Sequence, residues 1–147
     1  SLPDAQSLPA GVTIRPLSKL LKSEASFVQS WLTTASPLAN NPFVDLGDAI
    51  FQDGLVIEIA AQTTCPQLIR IFHVETAGTT PALAVPRIFL SLAENSQADI
   101  LTSFVSQNNG GVSWTNPIVD IRVAEGARCH YYEIQNEGRS TYHTSTT

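Results

Sequence analysis

Hydrophobic residues near the start of the chain recur at three- and four-residue steps, the spacing of an amphipathic helix. The positions are Leu17, Leu20, Leu21, Val28, Trp31 and Leu32. They predict a helix over residues 16–33, or a pair of helices broken near Ser23. The breaker-rich stretch 36–42 predicts a loop, and Phe43, Leu46 and Ile50 then predict a short second helix that stops at Asp53-Gly54.

From Leu55 onward the pattern changes to the two-residue period of β-strands. Leu55, Ile57 and Ile59 alternate with Val56 and Glu58. Residues 68–74 show the same two-residue period and are also rich in β-branched residues. Turn signals follow at strand-length intervals, at residues 77–81, 94–96, 108–111, 125–126 and 136–138. The chain beyond residue 54 is therefore predicted to consist of strands and turns, as in a sandwich or a solenoid.

An internal repeat favours the solenoid. A shift of 31 positions superposes Pro86 on Pro117, Leu90 on Ile121, Leu92 on Val123, Ala93 on Ala124 and Glu94 on Glu125. In a weaker third copy, 33 positions upstream, Ile57, Ile59 and Ala60 meet Leu90, Leu92 and Ala93. Repeats of this size mark stacked units that bury their apolar faces on one another, so we predict a mainly β protein with a β-solenoid core. A sandwich with a coincidental two-unit match remains the alternative.

Composition fits one folded unit. The chain has 147 residues, 43% of them hydrophobic and 14% charged, which suits a single domain or a piece of one. Its net charge of -5 and its scattered basic residues make nucleic acid and anionic membranes poor partners. No apolar run is long enough to span a bilayer, and no signal peptide is visible, so we expect a cytoplasmic protein with free thiols. Because the sequence contains no Met, we also expect an internal fragment of a longer protein.

Two phosphate-binding motifs are absent. The only lysines are Lys19 and Lys22, and neither follows a glycine as a Walker loop requires. No two glycines have the one-residue gap that opens a dinucleotide-binding turn. The sequence is therefore not that of a P-loop ATPase or a Rossmann domain.

Cysteine and histidine residues do not form a metal-binding pattern. Cys129 and His130 are neighbours on a predicted strand and should point to opposite faces, and Cys65, His73 and His143 lack ligand spacing. In the repeat, Cys129 aligns with Ala98 and His130 with Asp99, which predicts a buried cysteine and a solvent-facing histidine. We expect neither cysteine to bind metal.

Catalytic readings are equally weak. Gly111-Val112-Ser113-Trp114-Thr115 lacks the second glycine of a nucleophile elbow and reads as a strand after a turn. Glu133 and Glu137 are interpreted as bracketing a turn, with no line of acidic residues to suggest a glycosidase. Tyr131 and Tyr132 cannot share a face, so they do not make a stacking surface with Trp114 and Tyr142. We therefore predict no enzyme activity and no catalytic, cofactor-binding or metal-binding residue.

Several stretches resemble the SufB/SufD family. They are residues 115–137 with His130-Tyr131-Tyr132 and Gln135-Asn136-Glu137, the entry Ala49-Ile50-Phe51-Gln52-Asp53-Gly54, the pair Pro86-Arg87, and the tail Ser140-Thr141-Tyr142-His143. The resemblance runs from about Leu17 to the end, and within the family these motifs are more similar to the SufD branch than to the SufB branch. Cys129 stands where relatives usually carry an aliphatic residue, so no functional cysteine is transferred to it.

The resemblance implies a fold and a role. It implies a right-handed parallel β-helix with a short N-terminal helical segment, acting as a non-catalytic scaffold in the SufB–SufC–SufD complex that assembles iron-sulfur clusters. The implied partners are SufB and the SufC ATPase, and the cluster would be assembled transiently by the full complex, with no cofactor bound by this chain. In the family, the parts that bind these partners, and the Cys and His implicated in cluster building, lie further towards the C-terminus.

The predicted organisation is a flexible lead over 1–12, a helical segment over 13–52 and a partial β-helix core over 53–147, truncated at its C-terminal end. An uncapped final unit predicts self-association of the chain through that end, or fraying of the last strand. The alternative function is a free-standing β-solenoid that binds or cleaves saccharide. An acidic, aromatic-lined groove would distinguish it, and the sequence shows none.

Overall fold

The computed structural model of the chain describes residues 8–33, 41–76, 80–107 and 111–147, and it is mainly β. Its three helices are α1 Leu17–Ser23, α2 Ala25–Thr33 and α3 Pro42–Ile50. Its strands are β1 Val12–Pro16, β2 Gly54–Ile59, β3 Ile69–Glu75, β4 Ala82–Ala84, β5 Arg87–Leu92, β6 Gln97–Ser106, β7 Ser113–Thr115, β8 Ile118–Val123, β9 Arg128–Asn136 and β10 Thr141–His143.

The strands form three sheets that the chain visits in turn. Sheet A has the order β1-β2-β5-β8, sheet B has β3-β6-β9, and sheet C has β10-β7-β4. Strand β1 pairs antiparallel with β2, and each of the strands β2 to β7 pairs in parallel with the strand three places further along the chain. The chain thus makes three units, β2–β4, β5–β7 and β8–β10, with each unit contributing one strand to every sheet.

The register follows the repeat in the sequence. Leu90 pairs with Ile121 and Leu92 with Val123, as the 31-residue shift predicts. Ile57 and Ile59 pair with Leu90 and Leu92, as the 33-residue shift predicts. The shifts therefore mark one structural unit, although Val123 is exposed because β8 lies at the edge of its sheet.

The core fills the space between the inward faces of the sheets. Ile57, Leu90 and Ile100 are fully buried there, and Ile121 and Tyr131 pack against the same cluster. Each such side chain removed from water stabilises the fold by about 1.5 to 3 kcal/mol.

The turns from sheet A to sheet B stack with the units. Gln62, Asn95 and Gly126 occupy equivalent positions and all have positive φ, at 60°, 55° and 68°. The Gln62 backbone N–H donates to the Glu94 carbonyl and that of Asn95 to the Glu125 carbonyl. Three left-handed residues thus form a ladder, which we call the turn ladder.

The helices cover the outer face of sheet A. Leu17, Val28 and Trp31 bury themselves against Val56 and Phe89, whose side chains point outward from the sheet. This cluster explains the amphipathic pattern at the start of the chain, because the apolar face of the helices is buried against sheet A.

Helix α3 packs against strand β8. Asn41 caps its start by accepting from the Phe43 backbone N–H at 3.0 Å, and Pro42 occupies the first turn. A Cβ at Gly47 would lie 2.0 Å from the Ile118 Cδ1 atom, so a side chain at this position would force Ile118 to shift. The helix thereby reaches sheet A at its β8 edge.

Most predicted elements lie where they were expected, with one omission. The helix over 16–33 is a pair interrupted at Glu24, and α3 matches the predicted second helix. The segment 13–52 was predicted to be helical, but its first residues belong to strand β1, which pairs with β2. Residues 1–7 of the predicted lead, most of the predicted 36–42 loop, and parts of the 77–81 and 108–111 turns lie outside the described residues. Self-association through the last unit stays a prediction.

Candidate functional site

A group of three titratable side chains lies inside the corner between sheets B and C of the third unit. We call His143, Glu133 and Glu137 the His143 cluster. The His143 Nδ1 atom lies 2.5 Å from Glu137 Oε2, and its Nε2 atom lies 3.5 Å from Glu133 Oε1. The side chains of His143 and Glu137 are 9% and 6% exposed, so the imidazole is held between two carboxylates largely away from water.

Strand alternation places these residues together. Glu133 follows Cys129 and Tyr131 at two-residue steps along β9, so it shares their inward face. Glu137 comes directly after β9, and β10 brings His143 back beside it. The two glutamates were predicted to bracket a turn, and that interpretation is wrong: they converge on one histidine because strand and return segment close the corner.

Hydroxyl groups from the second unit and the tail complete the cluster. Thr115 Oγ1 donates to Glu137 Oε1 at 2.7 Å, and Ser145 Oγ donates to Glu133 Oε2 at 3.0 Å. A buried carboxylate needs such donors because its charge is costly away from water. The cluster therefore joins the second unit to the third.

A second chain of polar contacts runs through all three units at the same corner. Ser113 Oγ donates to the buried Glu75 at 3.1 Å and lies 2.9 Å from Thr141 Oγ1. Ser113 is 2% exposed, and its hydroxyl is engaged on both sides. Ser113 lies in β7, in agreement with the prediction of a strand after a turn.

His73 lines the same interior from the first unit. Burial lowers the pKa of its imidazole, although the carboxylates of Glu137 and Glu75 act in the opposite direction. The Phe104 ring contacts both His73 and His143, with ring centroids 5.6 and 4.9 Å away. Within the described ranges, no three His, Cys, Asp or Glu side chains form a group that could hold a metal ion.

Arg87 makes a separate buried charge cluster on the outer face of sheet A. Its Nη2 atom lies 2.8 Å from Asp120 Oδ2 and 3.2 Å from Asp48 Oδ1, and its side chain is 4% exposed. Burial lowers the pKa of Arg87 and raises the pKa of Asp48, against the attraction between them. Since Asp48 lies on α3, Arg87 on β5 and Asp120 on β8, this cluster fastens the helix to two units.

The cysteines lie apart from both clusters. Cys65 is buried and its thiol donates to the Gln67 carbonyl at 3.3 Å. Cys129 pairs in register with Ala98 and packs against the core, and burial raises the pKa of its thiol. The exposed His130 lies 2.9 Å from Asp99 instead of sharing a site with Cys129.

The tyrosines and tryptophan divide between inner and outer faces. Tyr131 points into the core and donates to Thr102 Oγ1, whereas Tyr132 is exposed. Trp114 and Tyr142 are register partners on neighbouring strands of sheet C, so these two do share a face. The aromatic residues therefore do not line one groove, although one pair of them is adjacent.

Comparison with protein families decides the relationship. The description "SUF system FeS cluster assembly, SufBD core domain" matches residues 73–147, and "SufBD protein N-terminal region" matches residues 1–71. The chain belongs to the SufBD family.

Two curated proteins are similar to this SufBD-family chain. An iron-sulfur cluster assembly SufBD family protein of Synechocystis sp. is 21% identical over 153 aligned residues, covering 99% of this chain and 34% of that protein. The chloroplastic protein ABCI7 of Arabidopsis thaliana is 27% identical over 85 residues, covering 56% of this chain and 18% of that protein. The chain thus aligns with 34% of the length of one relative and 18% of the other.

The polar clusters of this SufBD-family chain were not predicted as sites. Arg87 was noted only beside Pro86, yet it pairs in register with the aliphatic Ile118. A charge in a row that is aliphatic in the next unit is the signal that could have indicated the buried Arg87 cluster. None of the helices in the described part is long and apolar enough to cross a membrane.

Proposed function

We propose that the protein carrying this chain is a scaffold of the SufD branch that works with SufB and the SufC ATPase in iron-sulfur cluster assembly. The observation that carries the proposal is the pair of SufBD descriptions, which match residues 1–71 and 73–147. The relative from Synechocystis, whose name states iron-sulfur cluster assembly, aligns with 99% of the chain and supports the same role.

We also propose that the core is a right-handed parallel β-helix. Three units that contribute one strand each to three sheets, with equivalent residues in register, support this fold. A stack of repeating units offers a long rigid surface on which other subunits can be placed. That property suits a scaffold.

A non-catalytic role is consistent with how the polar side chains are used. Ser113 is buried between Glu75 and Thr141, and His143 is held by two glutamates. These groups join units to one another, and we propose that the iron-sulfur cluster is cargo of the full complex, with no cofactor resident on this chain. We propose a cytoplasmic location for the assembly.

The role is tested by deleting the segment that encodes this chain from its gene and measuring the activity of iron-sulfur enzymes in the cell. We expect that activity to fall while the amount of the enzyme polypeptides is unchanged. Restoring the native sequence should recover the activity in proportion to the amount of protein, since a scaffold acts stoichiometrically. Recovery at trace amounts would instead indicate an enzyme.

Two variants control for folding. Gly54→Val places a side chain where a Cβ would lie 1.8 Å from the Arg87 carbonyl oxygen, so the chain should not fold and should not restore activity. His130→Ala changes an exposed residue and should restore it fully. Unchanged iron-sulfur enzyme activity after the deletion would refute the proposed function.

A further inference from the structure

At the N-terminal end of the stacked units, sheet A extends one strand further than sheets B and C, which leaves a step one strand deep. Sheet A has four strands because β1 lies beyond β2, whereas sheets B and C end at β3 and β4. No described strand pairs with residues 69–74 of β3 on the side away from β6. This part of β3 therefore presents free backbone N–H and C=O groups.

Two adjoining cavities open beside this edge. One of about 520 Å³ is lined by β1, β2 and β3 through Val12, Ile14, Leu55, Ile57, Ile69 and Ile71. The other, of about 570 Å³, shares Leu55 and Ile71 with it and continues to His73 and Phe104. Both have the size of binding pockets, and their walls are the inward side chains next to the free edge.

We infer that this step, the β3 notch, binds an extended segment of a partner polypeptide that adds a strand to sheet B. Such a strand forms main-chain hydrogen bonds with β3 and points alternate side chains into the cavities. The spacing between paired strands is about 4.8 Å, so one strand fills a step of one strand. A second copy stacked end to end fits less well, because its own projecting β1 prevents the two ends from lying flush.

Charge indicates the chemistry of the segment. Arg70 lies on β3 with its side chain exposed at the rim, and no described carboxylate pairs with it. Asp53 also lines both cavities, but its Oδ1 atom already accepts from the Ser18 and Gly54 backbone N–H groups. The partner strand should therefore be apolar on its inward face and carry a carboxylate on its outward face.

His73 adds a polar requirement deeper in the notch. Its Nε2 atom is buried and has no hydrogen-bond partner among the described residues. A small hydroxyl side chain on the partner strand near this point would satisfy that nitrogen. The partner segment should therefore alternate apolar inward side chains with outward acidic side chains. At one end, its inward side chain should be a hydroxyl. This inference does not depend on the proposed function.

The test titrates the isotope-labelled 147-residue chain with the acetylated and amidated peptide Thr-Glu-Val-Glu-Val-Glu-Thr, which reads the same in both directions and places its Thr and Val side chains on one face and its Glu side chains on the other. We expect saturable binding, chemical-shift changes centred on residues 69–74, and slower hydrogen exchange at alternate amides of β3. The same peptide with N-methylated valines should not bind, because it keeps the side chains but cannot pair with the edge. Arg70→Glu should weaken binding about fivefold, and a peptide with lysine in place of glutamate should recover it on that variant.

Three results would overturn the inference. They are no saturable binding at millimolar peptide, equal binding of the N-methylated peptide, or shift changes away from β3. Slow exchange of the β3 amides in the absence of peptide, together with a dimer in sedimentation, would assign the edge to a second copy and also contradict it. Because Arg70 is exposed, the unchanged spectrum of the unbound Arg70→Glu chain serves as the folding control.

Discussion

The guanidinium of Arg122 lies 3.7 Å from the centre of the Trp31 ring, which joins the third unit to helix α2. Arg122 Nη2 also donates to the Trp31 carbonyl at 3.3 Å, near the C-terminus of the helix. Trp31 also contacts Phe89, with ring centroids 5.0 Å apart. One tryptophan therefore contacts both a cation from β8 and an aromatic ring from β5.

Arg122→Ala should destabilise the chain by about 1 to 2 kcal/mol, because it removes the cation–π contact and the donor to the helix end. Arg122→Lys should destabilise the chain by a smaller amount, since an ammonium group keeps the charge but cannot stack as a plane on the Trp31 ring. Urea unfolding gives the free energies, and Trp31 emission in a Trp114→Phe background should shift to longer wavelength in Arg122→Ala. Equal stability of all three proteins would show that the contact contributes nothing.

The charge of Asp48 should weaken the fold as the pH rises. Burial raises the pKa of this carboxyl, so the folded chain binds its proton more tightly than the unfolded chain does. That contribution is fully present below the ordinary Asp pKa and is lost as the pH rises through the folded pKa. The unfolding free energy of the native chain minus that of Asp48→Asn should therefore fall as the pH rises from the ordinary Asp pKa through the raised pKa of the folded chain.

Asp120→Asn is the comparison for this measurement. It removes the shorter, 2.8 Å contact with Arg87 and should destabilise the chain at neutral pH. If the unfolding free energy of the native chain minus that of Asp48→Asn instead grows with pH, the attraction to Arg87 affects the pKa of Asp48 more than its burial does.

The turn ladder should respond to substitution with opposite signs. At Gly126 the φ of 68° and the proximity of a Cβ to Asn95 Oδ1 both oppose a side chain, so Gly126→Ala should cost about 1 to 2 kcal/mol. Gln62 adopts φ of 60° with an ordinary side chain, so Gln62→Gly should be stabilising by about 0.5 kcal/mol. Thermal unfolding of the two variants measures both effects. A lower melting temperature for Gln62→Gly would contradict the claim that positive φ is costly for the side chain at this position.

Cys129 should behave as a core residue with an unreactive thiol. Burial raises its pKa, so little thiolate forms near neutral pH and alkylation should be slow. Cys129→Ala should cost about 1 kcal/mol and leave the metal content of the purified chain unchanged. Elemental analysis decides the second point: stoichiometric iron or zinc that disappears in this variant would make Cys129 a ligand.

The sequence predicted the repeating part of the fold better than its exceptions. The pairing of Leu90 with Ile121 was predictable because both units carry the same inward pattern. Strand β1 was missed because it has no counterpart in the repeat and pairs antiparallel with β2. A single strand of five residues beside a helical pattern gives little period of its own.

The charged clusters could not be derived from local spacing. Asp48 and Asp120 lie 39 and 33 positions from Arg87, and only the docking of α3 and the stacking of β8 bring the three together. His143 was considered as a metal ligand and rejected on spacing, but its contacts with Glu133 and Glu137 depend on how the chain returns after β9. The alternation of residues along the strands predicts which side chains face inward. It does not predict which of the inward polar side chains contact one another.

We propose that this chain is part of a scaffold that works within an assembly. Native mass spectrometry of the protein that carries it, expressed together with SufB and SufC, measures that assembly. We expect one species whose mass contains all three polypeptides. Three separate masses under conditions in which SufB and SufC still associate with each other would contradict it.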